Sequence, residues 1–313
     1  YKIKGVDMIV QSLSMRFPNT RGFNGNTNYR INQLVDGVNN SAPGLSFSPG
    51  NIFGLVQLDV ESVELVVGAS SALYGPGGMN GTLLMTSKNP FEYEGLSVSL
   101  QGGVMHFDND YNKNPSFMND FSFRYGKKLS DKFAFKITGG FLKANDWQAS
   151  DYRNKLNLAN PSSGRWTDSG YDGVNIYGDE VTINLEDIED QIAVGFADNL
   201  GHTEGTQEYD DAIELIRNAV PDKDLTRTGF KEVDLVDYNA ENVKIGGSFH
   251  YNINDNFKSV LQINYAKGSS VYSAQNRFSL NNFSIINYKA ELQSETVLFR
   301  FSGANENLSL IHI

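Results

Sequence analysis

From Leu96 onward the chain is written in strict alternation. In the segment Ser116 to Gly126, Phe117, Phe121, Phe123 and Tyr125 share one face, with Ser116, Ser122 and Arg124 on the other. Phe133, Phe135, Ile137 and Phe141 repeat the device against Lys136 and Thr138, and Val243, Ile245, Phe249 and Tyr251 against Lys244, Ser248 and His250. Phe257, Leu261, Ile263 and Tyr265 continue it against Lys258, Gln262 and Asn264. Period two puts these residues on opposite faces of β-strands, one face meeting something apolar and the other meeting water. A soluble sandwich carries the same alternation, so two further features decide. The segments run about 10 to 13 residues, roughly twice the usual globular strand and the length a tilted strand needs to cross a bilayer. The connections between them alternate: Asp108 to Pro115, the tight Lys128 to Lys132, the very long Trp147 to Asn239, the tight Asn252 to Asn256, the longer Lys267 to Asn282, and the tight Ser294 to Glu295. Short turns at one rim and long loops at the other are expected of an antiparallel outer-membrane β-barrel.

The first ninety residues have another texture. Short apolar runs are separated by Asn, Gly and Ser: Gly5 to Val10, the Arg21 to Gly25 turn, and a strand from Tyr29 to Val35 closed by Asp36-Gly37. A strand from Val63 to Val67 then runs into Gly68, a helical turn from Ser70 to Leu73, and the cluster Gly75-Pro76-Gly77-Gly78, before Thr82 to Thr86 resumes as strand. Glycine at such density marks backbone that takes positive φ or passes close to another surface, so this part is a compact, loop-rich α+β unit.

Composition narrows the classes. A chain of 313 residues has ample apolar surface for a core, and 15 Tyr, 20 Phe and 30 Gly with 8 Pro suit an aromatic-rich β protein. With no cysteine there is no disulfide framework and no thiolate chemistry. No run of about 18 apolar residues is present, so a spanning helix is excluded. The net charge of −11 is concentrated: Asp168 to Glu241 holds 20 Asp and Glu against 4 Lys and Arg, and the rest of the chain 17 against 22. That balance argues against nucleic acid as a partner.

Within the acidic stretch, Thr206 to Val220 has an N-cap threonine, acids in its early turns, Ile213 and Ile216 on one face and Pro221 as a stop, which predicts a short surface helix. Asp168, Asp172, Gly173 and Asp179 match the first, fifth, sixth and twelfth places of a calcium loop, but the third oxygen ligand and the bidentate Glu are missing. A solvated acidic loop is the expectation, with no metal. No catalytic constellation emerges: His106, His202, His250 and His312 are scattered, no G-K-[ST] follows Gly78, and Glu186 to Asp190 has no partner base. No cofactor and no enzymatic activity are expected. Trp147, Trp166, Tyr171 and Tyr177 are candidates to stack on a ligand in the long loop, with membrane-interface anchoring an equal reading for Trp147.

The stretch DVESVELVVGASSALYGPGGMNGTLLMTSKNP, Asp59 to Pro90, resembles the end of the plug domain of TonB-dependent outer-membrane receptors. Glu61, Val63, Glu64, Gly68, Ala72, Leu73, Tyr74, Gly75, Asn80, Gly81 and Lys88 occupy the family's pattern without a gap. Ahead of them, Asn19 to Phe23 with Arg21, Gly22 and Phe23, and Leu34 to Val38 with Asp36 and Gly37, resemble the family's N-R-G-F and D-G-V segments. NPFEYEGLSVSLQGG and YDGVNIYGDE are similar to large receptors of the Bacteroidota type.

The resemblance implies an α+β plug domain over residues 1–93 and, from 94 to 313, about seven of the roughly 22 antiparallel transmembrane strands of a plugged barrel, with residues 147–240 as an acidic outer loop. It implies active import of a scarce nutrient across the cell outer membrane, driven by TonB and its inner-membrane energising complex, with a substrate-binding surface lipoprotein as a further partner. The TonB box and export signal are expected ahead of Tyr1. Ser309 to Ile313 resembles translated sequencing-adapter read-through and is set aside. Polar lumen-facing side chains, Arg124, Lys136, Lys244 and Gln262, are expected to hold the plug through water-exposed hydrogen bonds, and Gly75, Gly77 and Gly78 to give it a deformable apex. A passive porin or adhesin and a soluble carbohydrate-binding β protein are the rival classes; the first predicts no plug, the second shorter strands, polar faces at the sheet ends and solubility without detergent.

Overall fold

The computed structural model describes residues 4–23, 25, 29–69, 71–106, 115–159, 164–273 and 276–312 of the 313. The chain forms two compact units, one from Tyr1–Trp147 with Asp237–Ile313, the other from Gln148–Val236.

The first unit begins with a small module. Strands β1 (Val6–Val10) and β2 (Arg16–Thr20) form an antiparallel hairpin. The second of these was not legible in the sequence, because Pro18 and Asn19 hide the period; it forms because Met15 and Phe17 are driven into the core. β3 (Ile31–Val35), β4 (Val38–Asn39), β5 (Val60–Val67) and β6 (Gly81–Ser87) make a sheet in the order β4-β3-β6-β5, with β3 parallel to β6 and the other pairs antiparallel. Asp36 and Gly37 both have positive φ, 47° and 76°, as a two-residue hairpin turn requires. β3 therefore starts at Ile31 rather than Tyr29, and β5 at Val60 rather than Val63. The helical turn α1 is Ser71–Tyr74; Ser70 lies outside the described residues, as do Tyr1 to Ile3, Asn24 and Asn26 to Asn28 of the first ninety.

Strands β7 (Gly95–Met105), β8 (Ser116–Lys128) and β9 (Phe133–Asn145) follow. The loop expected over Asp108 to Pro115 lies, except for its last residue, outside the described residues. The second unit comes next. The long acidic loop is a folded unit of its own, with β10 (Ile176–Tyr177), β11 (Thr182–Asn184), α2 (Glu189–Asn199), α3 (Gln207–Ala219), β12 (Asp224–Thr226), β13 (Phe230–Lys231) and α4 (Glu232–Leu235). Its two longer helices pack through Ala197, Tyr209, Ala212 and Ile213. Glu189 and Asp190 sit in the first turn of α2, where carboxylates meet the unpaired N–H groups and the positive end of the helix dipole. The acid run Glu186 to Asp190 thus leads into a helix.

The chain returns in β14 (Asn239–Asn252), β15 (Lys258–Ser273), β16 (Arg277–Gln293), β17 (Leu298–Asn307) and the three-residue β18 (Leu310–His312). The large sheet has the antiparallel order β17-β16-β15-β14-β9-β8-β7, β18 extending the β17 side along β16. β7 and β17 are its edges, so the sheet does not close on itself. Any extended segment can pair with an open edge, so β18 does not bear on the adapter reading of Ser309 to Ile313, of which Ile313 lies outside the described residues. The expected loop from Lys267 to Asn282 is corrected: β15 and β16 run on through it, with a register shift between Gly268 and Ser270 and a connection of 274–276, of which 274–275 is not described. Serines and glycine conceal the pattern there. The strands persist because Tyr272, Leu280, Phe283 and Ile285 pack with Met15, Phe17, Leu45, Phe47, Ile52 and Phe53 in one core cluster, where Phe47 meets Phe17 and Tyr272 edge to face at 5.6 and 6.4 Å.

On the other side of the large sheet the apolar row is bare: Leu100 is 79% and Phe117 77% exposed, with Phe249, Leu261, Phe299 and Phe301 also exposed. The rows are not buried against a second sheet, and the small module sits on the polar side.

In the second unit, the Thr206 hydroxyl accepts the Tyr209 N–H at 3.3 Å and caps α3. Thr206→Ala is expected to cost about 1 kcal/mol, read as roughly fivefold faster amide exchange in the first turns of α3 with β14–β16 exchange unchanged.

Candidate functional site at the contact of module and sheet

Two polar latches join the module to the inner face of the sheet. The first centres on Asp59, at the start of β5. Its carboxylate accepts Arg124 Nε at 2.9 Å from β8 and Lys136 Nζ at 2.8 Å from β9. All three side chains are 3–4% exposed. Lys136 also donates to Ser87 Oγ at 2.6 Å and the Lys88 carbonyl at 2.9 Å, and Arg124 to the Tyr93 carbonyl at 2.9 Å. Period two on β8 and β9 aims both cations inward while Phe121, Tyr125, Ile137 and Phe141 point away. Burial raises the Asp59 carboxyl above the usual range, against the opposing pull of Lys136 and Arg124. A carboxyl raised in the folded state contributes stability below its unfolded value and loses that contribution as pH rises through the folded one. The ionised triad is therefore carried by the packing around it. The expectation of water-exposed, cheaply exchanged bonds is corrected here: these contacts are dry.

The second latch holds the β3–β4 turn. The Asp36 carboxylate accepts the Ser87 N–H and Oγ at 2.8 and 2.7 Å and Gln262 Nε2 at 3.4 Å. Lys289 Nζ donates to the Asp36 carbonyl at 3.3 Å and Arg300 to the Gly37 carbonyl at 2.9 Å. Arg300 is itself held by Glu291 at 2.6 Å. A Cβ on Gly37 would overlap the Arg300 guanidinium, so glycine serves both the positive φ and the close approach. Beside this latch lies a polar cleft of about 630 Å³, lined among others by Asp36, Glu61, His250, Gln262, Lys289 and Arg300. Lys289, Glu291 and Arg300 were missed in the sequence. Their alternation with Tyr288, Phe299 and Phe301 was the available signal. Lys244, also expected to face inward, has no role in either latch.

Other motif residues shape the module. Arg21 and Gly22 have φ of 52° and 74° in the turn after β2, and Phe23 is exposed, its carbonyl accepting Asn80 Nδ2 at 3.1 Å. Gly68 and Gly75 take φ of 80° and 83°, and Gly81 141°. Glu61 and Glu64 are exposed, Glu61 within 3.5 Å of the Tyr93 hydroxyl, and Tyr74 is half-buried. Asn32 Nδ2 donates to the Pro76 carbonyl at 2.9 Å, and a Cβ on Gly77 would stand 2.6 Å from Asn32 Oδ1. The glycine corner is pinned by close approach rather than left slack.

Of the ligand candidates, Trp166 is 97% exposed and Trp147 half-buried. Tyr171 is buried with its hydroxyl on the Tyr152 carbonyl, and the Tyr177 hydroxyl bonds Glu232 at 2.7 Å, so both serve the second unit internally. The calcium-like acids are likewise engaged, Asp168 by Asn154 at 2.6 Å, Asp172 by Lys155 at 2.7 Å and Asp179 by the Gly173 N–H at 2.8 Å. Among the described residues no group of three metal-ligating side chains occurs, and no helix is long and apolar enough to cross a membrane, which says nothing of strands.

Residues 3–82 match the TonB-dependent receptor plug domain. The chain is 30% identical over 161 residues to the vitamin B12 transporter BtuB of Vibrio vulnificus (strain CMCP6), a match covering 50% of this chain and 21% of that protein. Among solved structures it is similar to the ferric enterobactin receptor PfeA, with a TM-score of 0.50 and 11% identity over 96% of this chain and 37% of that one. The copper transporter OprC gives 0.48 and 13% over 97% and 33%. The chain spans about a fifth of the curated relative's length. The likeness to PfeA is one of fold.

Asp59→Ala is expected to cost roughly 3–5 kcal/mol, because it strands two buried cations, whereas Asp59→Leu combined with Arg124→Met and Lys136→Met is expected to match or exceed the parent in stability. Denaturant unfolding of the purified protein checks both.

Proposed function

We propose that this chain, a TonB-dependent receptor with its plug domain at the N-terminus, supplies the plug and first wall strands of a transporter that imports a scarce nutrient across the outer membrane. The observation that carries the proposal is the two-faced sheet: an apolar row bare on one side, and on the other a small module seated by buried charges. An apolar row of that extent suits lipid, and a module anchored to the polar face suits a lumen that is closed at rest. The rival classes lose their support, since a plug domain is present and the apolar rows face no second sheet.

Opening follows from the unequal latches. Breaking the dry Asp59 triad strands buried charge, while the Asp36–Gly37 turn is held by single bonds from Lys289 and Arg300 to carbonyls beside a polar cleft, each worth about 1.5–3 kcal/mol. The plug then pivots at Asp59 and parts from the wall at Asp36. Energy comes from TonB and its inner-membrane complex. Similarity of NPFEYEGLSVSLQGG and YDGVNIYGDE to Bacteroidota-type receptors supports a substrate-binding lipoprotein as partner, with Trp147 and Trp166 as the aromatic surfaces open to a solute. The chain acts without chemical conversion of its solute.

Two measurements test this. The intact receptor is expected in the outer-membrane fraction, with solute uptake lost in cells lacking TonB; a soluble product or unchanged uptake overturns the reading. Arg300→Ala is expected to raise TonB-independent entry of a large hydrophilic antibiotic severalfold, while Lys143→Ala at an exposed position leaves it unchanged.

A further inference from the structure

β9 ends at Asn145, and the next residue is a buried aspartate with three main-chain partners, two on its carboxylate and one on its own N–H. Asp146 is 3% exposed. One oxygen accepts the N–H of Leu13, in the turn between β1 and β2, at 2.9 Å. The other accepts the N–H of Trp147 at 2.9 Å. Its own N–H donates to the Tyr238 carbonyl at 2.9 Å. Trp147 is the last residue before Gln148–Val236 and Tyr238 comes two residues after it, and the register just below is Asn145 with Asn239 and Ala144 with Ala240. Both stems of the 148–236 insertion therefore meet at one residue: its main-chain N–H holds the Tyr238 stem, one carboxylate oxygen the Trp147 stem, and the other oxygen the plug turn.

The plug turn it holds also packs on the sheet through Met15, in the core cluster with Tyr272, Leu280, Phe283 and Ile285. Ser12 and Ser270 share a hydrogen bond of 2.7 Å, and Ser12 Oγ accepts the Met15 N–H at 2.9 Å. Burial raises the Asp146 carboxyl, with the two N–H donors pulling it back, and Arg16 and Arg277 are the charged groups that face it. A carboxylate kept there at that cost has a fixed geometry: tilting either oxygen strains the bond made by the other, because the group is planar and rigid.

We infer that Asp146 is a positioning residue whose carboxylate couples the Trp147 stem of the acidic insertion to the plug turn Gln11 to Met15. A displacement of the stem at Trp147 rotates the carboxylate and loosens the Leu13 bond, and a displaced plug turn acts back on the stem equally, since coupling is reciprocal.

Trp147→Pro and Trp147→Ala separate the stem bond from the indole ring. Both remove the ring, and only proline removes the N–H that Asp146 accepts; the residue before it is at a strand end, where extended backbone suits proline. The readout is hydrogen exchange of the whole receptor in detergent, followed in the peptides 11–16, 238–243 and 31–36. Trp147→Pro is expected to speed exchange in 11–16 about tenfold over Trp147→Ala, with 31–36 unchanged. Asp146→Ala is expected to speed 11–16 as Trp147→Pro does, with 238–243 unchanged because the main-chain N–H of residue 146 still meets the Tyr238 carbonyl, and adding Trp147→Pro to it should change 11–16 no further. Equal exchange in Trp147→Pro and Trp147→Ala overturns the coupling. So does acceleration that extends to 31–36, or an additive effect in the double variant. Unchanged exchange of 11–16 in Asp146→Ala overturns it as well.

Discussion

A carboxylate removed from water has to be met by opposite charge and by hydrogen bonds, and at Asp59 that requirement fixes how the module meets the sheet. Arg124 and Lys136 stand on adjacent strands, so one anion can engage both only if β5 begins at a single height against β8 and β9. The same residues make the arrangement hard to reverse. Their second bonds, to Ser87, Lys88 and Tyr93, extend the grip along the end of β6 and into the connection that leads to the wall.

The sheet poses the complementary problem. Phe117, Phe249 and Phe301 gain nothing from the module's side, where Lys136, Gln262 and Lys289 are needed, and period two leaves each residue only one face. A slip of one residue in any pair would put a lysine among the phenylalanines. The polar side therefore specifies register as well as contact. The Lys136–Ser248 and Gln262–Lys289 pairings keep the inner row continuous across β9, β14, β15 and β16.

Apolar packing and polar latching divide the module between them. Met15, Phe17, Phe47 and Ile52 pack on the far reaches of β15 and β16, and Asn242 adds a bond to the Ile52 carbonyl at 2.9 Å. The Asp36–Gly37 turn, by contrast, rests on donors to backbone carbonyls and borders a cleft. Dry ion pairs at Asp59 and single bonds beside a cleft at Asp36–Gly37 thus hold two parts of one module. The glycine corner is held too, since Asn32 ties Pro76 and leaves no room for a side chain at Gly77.

Local pattern was legible from the sequence. The alternation of Phe and Tyr with Lys, Arg and Gln announced two-faced strands, the Asp59 to Pro90 stretch announced the plug, and Thr206 with its following acids announced α3, because each signal lies within a few residues of its cause. What the chain order hid was pairing at a distance. Asp59 finds Arg124 65 residues on and Lys136 77 residues on, and Leu13 finds Asp146 133 residues on; no periodicity carries that information. The stretch from Lys267 to Asn282 was mistaken for a loop for the same reason, its strands being held by the module's aromatic core rather than by their own composition. Sequence determined which face of each strand is oily and which is wet; only the tertiary structure decided which buried charges meet, because that depends on what the packed core brings within three ångströms.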